Sequence, residues 1–167
     1  MFRLMALIVG AMLVSGCATQ FYDSKKAGPM LEQASRLPPS SLRAHSSCQV
    51  AFAPTGAAKA DFAPGACAYT DTALHLYSWD AAKKQYRREI QLEFASLQGV
   101  AKAKIALYTQ LQIPVEGGHI VFEPKPVDGV LSFMLKAGVK ELPAGEYIMI
   151  NAAPQPQTIY IPVYVGG

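Results

Sequence analysis

The chain has 167 residues, of which 51% are hydrophobic and 16% charged. That is enough apolar material for one folded core and too much for a disordered chain. Thirteen glycines and twelve prolines are too few for a collagen-like or low-complexity protein. A formal net charge of +3 is too weak to point to nucleic acid as a partner.

Met1-Phe2-Arg3 carries one basic side chain, and an apolar run of eleven residues follows from Leu4 to Val14. A run of that length suits the core of a signal peptide and is too short to cross a hydrocarbon layer of about 30 Å. It ends in Val14-Ser15-Gly16-Cys17, small residues that a peptidase can accept in extended form, followed directly by a cysteine. This pattern resembles the lipobox of bacterial lipoproteins. The resemblance covers about the first twenty residues. It implies that residues 1–16 are cleaved and that Cys17 carries a diacylglycerol thioether and a fatty acyl group. It implies no other cofactor. Several buried acyl chains make such an anchor effectively permanent. In that family an aspartate after the cysteine retains the protein at the inner membrane. Ala18 stands here, which implies the periplasmic face of the outer membrane. Cleavage removes only Arg3 among the charged residues and leaves a formal charge of +2.

Two further cysteines, Cys48 and Cys67, lie 19 positions apart around an Ala/Pro/Gly-rich segment. Outside the cytosol a disulfide between them would persist and stabilise the fold by about 3 kcal/mol through loop closure. The alternative is a metal held by His45, Cys48 and Cys67, which lack the paired C-x-x-C spacing of structural zinc.

Along the mature chain, residues 18–28 read as a polar tether, and Pro29 opens a short helix that Pro38-Pro39 stops. Strands are expected at Gln49–Phe52 and Ala73–Trp79, with a break at Asp80–Gln85. Arg88, Ile90, Leu92 and Phe94 then alternate with Glu89, Gln91 and Glu93 as a half-buried strand. Residues 101–115 form one bent strand or two broken near Tyr108-Thr109, with odd positions on one face. A hairpin turning at Gly117-Gly118 would set Val115 opposite Ile120, Ile113 opposite Phe122 and Gln112 opposite Glu123. Asp128 is the expected N-cap of the one convincing helix, which runs to Lys136 with Gly138 as its C-cap. Strands at Glu146–Ile150 and Thr158–Val165 close the chain. The second is apolar on both parities and is a candidate contact surface.

The order of these elements, from Tyr69-Thr70-Asp71-Thr72-Ala73-Leu74 through the basic turn and the strand ending Gln98-Gly99-Val100 to a single amphipathic helix, resembles pleckstrin-homology and GRAM-like domains over residues 44–138. The resemblance implies a small barrel plugged by the helix, although the strand-like residues after the helix depart from the family's pattern. Some members bind acidic headgroups at the first strand–turn, which implies Lys83, Lys84, Arg87 and Arg88 as candidates here. A solvated charged turn accounts for the same residues. An immunoglobulin-like β-sandwich is the alternative fold.

Catalytic signatures are missing from the sequence. There is no G-x-S-x-G elbow, and His45, His75 and His119 lack metal-protease spacing. Glu89 and Glu93 share a strand face as a nominal carboxylate pair, which a solvated face also explains. The expectation is a mainly β single domain with one helix. Residues 1–16 form the signal, 17–43 the acylated tether with its short helix, and 44–167 the β-rich periplasmic domain. The expected role is non-enzymatic binding or scaffolding at the outer membrane, with an envelope protein as partner. The alternatives are an anionic headgroup or glycan binder, and an envelope hydrolase.

Overall fold

A computed structural model describes residues 22–151. The residues that resemble a lipobox, with Cys17, and the expected strand Thr158–Val165 lie outside the described residues. The chain runs α1 (Ser24–Ser35), β1 (Ala44–Pro54), β2 (Lys59–Ala60), β3 (Ala63–Tyr69), β4 (Ala73–Asp80), β5 (Gln85–Glu93), a 3-10 turn at Phe94–Ser96, β6 (Ala101–Ile105), β7 (Tyr108–Val115), β8 (Gly118–Pro124), α2 (Val127–Lys136) and β9 (Met149–Ile150). Seven strands form one antiparallel sheet in the order β5-β4-β3-β1-β8-β7-β6. The architecture is therefore mainly β, a single small domain of barrel or sandwich type. It has two helices among the described residues where the sequence suggested one convincing helix.

The inner face of the sheet encloses the main core. Cys48 from β1, Cys67 and Tyr69 from β3, Leu74 and Leu76 from β4, Leu111 and Ile113 from β7, and Ile120 and Phe122 from β8 meet there. Helix α2 closes one end with Val130, Leu131 and Met134. Pro126 occupies its N-cap position and no side chain caps it. Asp128 lies inside the first turn and accepts from Lys102 Nζ at 2.7 Å instead. Gly138 ends the helix at φ +92°, the left-handed conformation that glycine adopts without steric cost.

Residues 63–66, expected within the loop that Cys48 and Cys67 enclose, belong to the interior strand β3. Ala66 and Ala68 present only methyl groups on the outer face, and both are fully buried beneath α1 with Ala27, Leu31 and Tyr77. Small residues are what let a helix lie close on a sheet. Gly65 fits the same logic, because a Cβ there would lie 1.7 Å from the Tyr77 carbonyl oxygen. Cys48 pairs with Gly65 and Cys67 with Ser46. The two sulfurs are bonded diagonally across the β1–β3 ladder, at a Cα separation of 5.5 Å.

Helix α1 begins five residues before Pro29. The Asp23 carboxylate caps it by accepting from the Lys25 N–H at 2.9 Å, and Pro29 sits inside it. The segment read as tether therefore belongs partly to the folded domain. Its far end is tied down by Ser35 Oγ and Tyr77 Oη at 2.6 Å.

The β7–β8 hairpin turns one residue earlier than expected, at Glu116-Gly117, so that Val115 pairs with Gly118, Ile113 with Ile120 and Gln112 with Val121. Gly118 cannot be spared for the turn. It is a strand position facing β1, where a Cβ would meet the Ala53 carbonyl oxygen at 2.2 Å. Both registers keep Ile113 and Ile120 on the same face, so the apolar alternation could not tell them apart.

Residues 101–115 form two strands that turn at Ala106-Leu107. Ile105 pairs with Tyr108 and Ala103 with Gln110, so the odd positions before the turn share a face with the even positions after it. Gln110 and Gln112, expected on a solvated face, are buried. The Gln110 amide donates to the Ile148 carbonyl at 2.8 Å and accepts from the Ile148 N–H at 3.1 Å, as a peptide group would. Gln112 donates to the Glu146 carbonyl at 2.5 Å. These contacts hold residues 146–150 across the outer face, where β9 pairs in parallel with β2.

Gln110→Ala strands both polar groups of Ile148 and should lower the unfolding free energy by about 3 kcal/mol. Urea unfolding read by tryptophan fluorescence measures it. In the same assay, reduction of Cys48–Cys67 should cost about 3 kcal/mol.

Candidate functional site

The basic turn does not gather its four cations. Lys83 closes the β4–β5 turn beside Asp80, with its N–H donating to Asp80 Oδ1 at 3.0 Å and its ammonium 3.9 Å from Oδ2. Lys84 holds the left-handed turn conformation at φ +50° and is exposed. Arg87 pairs with Ser78 and Arg88 with Tyr77, so the two guanidinium groups leave the strand on opposite faces. Arg87 Nε donates to Glu89 Oε1 at 2.7 Å. Arg88 Nη1 donates to Gln91 Oε1 at 2.8 Å and to the Ser35 carbonyl at 3.4 Å.

The sheet register slips between Leu76 and Tyr77, and Glu89 is the extra residue of β5. This β-bulge swaps the expected faces. Arg88 joins Tyr77 on the α1 side, away from Ile90. Glu89 leaves the face of Gln91 and Glu93 and accepts from Ser78 Oγ at 2.5 Å. The nominal carboxylate pair is thereby separated. Hydrogen bonds from Ser78 and Arg87 hold the Glu89 carboxyl below its usual pKa, as they favour the charged form.

A cleft of about 560 Å³ forms where the C-terminal half of α1 meets the start of β5. Arg36, Arg87, Arg88, Gln33 and Gln85 supply its polar lining, and Met30, Ala34 and Tyr86 its apolar one. Arg36 was absent from the sequence-based set because it lies 51 positions before Arg87. It ends α1 in the left-handed conformation at φ +55°. Arg88 binds the neighbouring Ser35 carbonyl, so Arg88 and Arg36 both line the cleft at this helix end. Cations are favourable beside the exposed carbonyls of a helix C-terminus.

The histidines are placed separately. His45 Nδ1 hydrogen-bonds the Tyr22 hydroxyl, and its Nε2 faces the backbone of Gly28 in α1. Burial lowers the His45 pKa and raises that of Tyr22 to about 12. His75 is 1% exposed, stacks on Tyr77, and has no hydrogen-bond partner at either ring nitrogen. Burial lowers its pKa, and the Arg88 charge pushes the same way. His119 sits at the far end of β8, opposite Ala53 and Pro114. Cys48 and Cys67 are occupied by each other, so the alternative metal set is not assembled. Among the described residues no group of three or more His, Cys, Asp or Glu side chains is placed to hold a metal ion. No described helix is long and apolar enough to cross a membrane.

No family model and no curated protein matches the chain. The solved structures similar to it include the C-terminal domain of an unknown protein from Leishmania infantum, at 14% identity and TM-score 0.44, covering 64% of this chain and 96% of that one. They also include the hSac2 domain from human phosphoinositide phosphatase Sac2, at 10% identity and TM-score 0.43, covering 81% and 97%. Scores this low carry no argument about what this chain does.

Neutral burial of His75 and His45 has a consequence for stability. In the unfolded chain both take up a proton near pH 6.5, whereas the folded state resists it. The unfolded state therefore binds more protons as pH falls, and stability drops from about pH 7 downward by at most about 1.4 kcal/mol per pH unit for each histidine. His75→Phe should flatten this slope between pH 7 and 5, as measured by urea unfolding at each pH.

Proposed function

We propose that this chain is a lipoprotein anchored through Cys17 at the periplasmic face of the outer membrane, where it presents a pleckstrin-homology-like barrel as a binding or scaffolding module. One observation carries the reading. Tyr22, whose hydroxyl bonds His45 at the start of β1, stands only five residues after the lipobox-type cysteine. At ~3.5 Å per residue this linker reaches at most about 17 Å. A signal of lipoprotein type leading almost directly into a folded domain makes an anchored payload, with no long stalk between fold and lipid. The strand order supports the barrel type. A four-strand meander, β1-β3-β4-β5, and a three-strand meander, β6-β7-β8, join through β1 and β8, and α2 follows the last strand. The bonded pair Cys48–Cys67 suits an oxidising compartment. Confinement to the membrane plane raises the effective concentration of membrane-bound partners.

A second reading, recognition of an anionic headgroup or glycan, is favoured by one feature, the Arg36–Arg87–Arg88 cleft. It shifts the site from Lys83 and Lys84 toward the end of α1. Arg36→Ala with Arg88→Ala should then abolish sedimentation with phosphatidylglycerol vesicles of a chain carrying Cys17→Ala. Unchanged sedimentation removes this reading.

For the anchored reading, Cys17→Ala in cells should give a product that takes up no labelled palmitate and no longer floats with membranes. Flotation at unchanged mass would contradict it.

A further inference from the structure

The β6–β7 hairpin tip breaks two local rules at once. Leu107 is 96% exposed, and its flanking pair Ile105 and Tyr108 are 51% and 61% exposed. Ala106 turns the hairpin at φ +48°, a conformation in which glycine or asparagine is the ordinary choice. Glycine or asparagine at 106 would be less strained, and a polar residue at 107 more soluble. Conflicts between local preference and the overall fold concentrate at functional positions. Tyr108 also meets Tyr147, with ring centroids 6.4 Å apart, and the exposed Met149 and Ile150 follow it in the chain. The apolar surface thus extends beyond the turn itself.

The geometry points to the bilayer that carries the anchor as the occupant of this tip, an inference that rests on the Cys17 reading above. Tyr22, where the linker from Cys17 enters the fold, bonds the start of β1 through the His45 carbonyl at 2.8 Å. Ser47, two residues on, accepts from the Lys125 N–H at 3.2 Å. Continuing the β7–β8 register by three residues from Leu111–Phe122 sets Tyr108 level with Lys125. At about 4.8 Å between neighbouring strands, the tip and the point where the linker enters lie at the same end of the sheet, within about 20 Å of each other. A linker of at most about 17 Å holds that end against the lipid.

The charge around the tip fits a headgroup layer. Lys104 and Lys125 are exposed; among the described residues neither closes an ion pair, and Lys104 acts only at longer range on Asp128, the carboxylate that Lys102 engages at 2.7 Å. Glu123 keeps its charge but is set back from the tip, level with Gln110, from which it accepts at 2.8 Å. Leu107 enters the acyl boundary, Tyr108 and Tyr147 sit at headgroup level where aromatic rings with a polar end collect, and the two lysines face anionic lipid. A second contact of this kind turns a swivelling payload into an oriented one.

The test uses the full-length acylated protein in vesicles of phosphatidylethanolamine and phosphatidylglycerol, with the natural chain and its single tryptophan, Trp79, as baseline. Leu107→Trp should add an emission component that shifts to the blue on reconstitution and is quenched by lipids brominated in the acyl chain. Glu116→Trp, at the turn closing the other end of β7, should add an unshifted component that brominated lipid leaves alone. Vesicle flotation is read on the same samples. Floating protein with Leu107→Trp unshifted and unquenched overturns the tip contact and leaves the anchor standing. Leu107→Trp emission already blue in the unacylated Cys17→Ala chain, in buffer without lipid or detergent, places another part of the protein over the tip and overturns the inference too. Protein that does not float contradicts the anchor reading, and the tip contact falls with it.

Discussion

Strand β1 is the constraint on which the rest of the molecule depends. It is eleven residues long, about twice an ordinary strand, and its two halves pair with different neighbours in the one sheet. Ala44–Val50 pair with β3 and Cys48–Pro54 with β8. Only Cys48, Gln49 and Val50 are shared by both ladders. The bond to Cys67 leaves β1 at that overlap, so the covalent tie lies where the two meanders are joined. Cys48 and Val50 face the inner core, and Ala51 and Ala53 face the outer cluster with Val121 and Ile148. A one-residue slip of β1 would reverse all of these faces together.

Covering the sheet on both sides explains the composition of its middle. Ala73 to Tyr77 are buried without alternation, because Leu74 and Leu76 face the core while His75 and Tyr77 lie on the outer face. The outer cover is divided between α1 over β3, β4 and β5 and residues 146–150 over β7. Each cover is fixed by buried polar contacts, Ser35 to Tyr77 in one case and Gln110 to Ile148 in the other. Such groups are costly when left unpaired, so both covers are held in one register as well as buried. Since α1 is one of them, the chain from Tyr22 to the sheet has little freedom to swing.

Strands β4 and β5, the β7–β8 pairing faces and α2 were legible in the sequence, because alternation and helix periodicity report directly on burial. What escaped it depends on contacts distant along the chain. Pro64-Gly65-Ala66 reads as loop until α1 is laid on top, when small residues become the requirement. Gln110 and Gln112 read as solvated until residues 146–148 arrive to bond them. The bulge at Glu89 leaves no trace in the pattern and reverses the faces of Arg87 and Arg88, so a run of four cations close in sequence is not one site. Arg36 joins the cleft only through tertiary packing. The start of α1 was readable after all, since Asp23-Ser24-Lys25-Lys26 is an ordinary capped opening that Pro29 obscured.

Whether α1 is structure or tether decides how closely the proposed anchor at Cys17 would hold the domain to lipid, and amide hydrogen exchange of the full-length protein tests it most directly. If α1 is part of the fold, the N–H groups of Leu31 to Ser35 exchange as slowly as those of Cys67 to Tyr69 in β3, through the same global opening. Exchange of α1 at rates close to those of an unfolded peptide, with β3 still protected, would contradict the account.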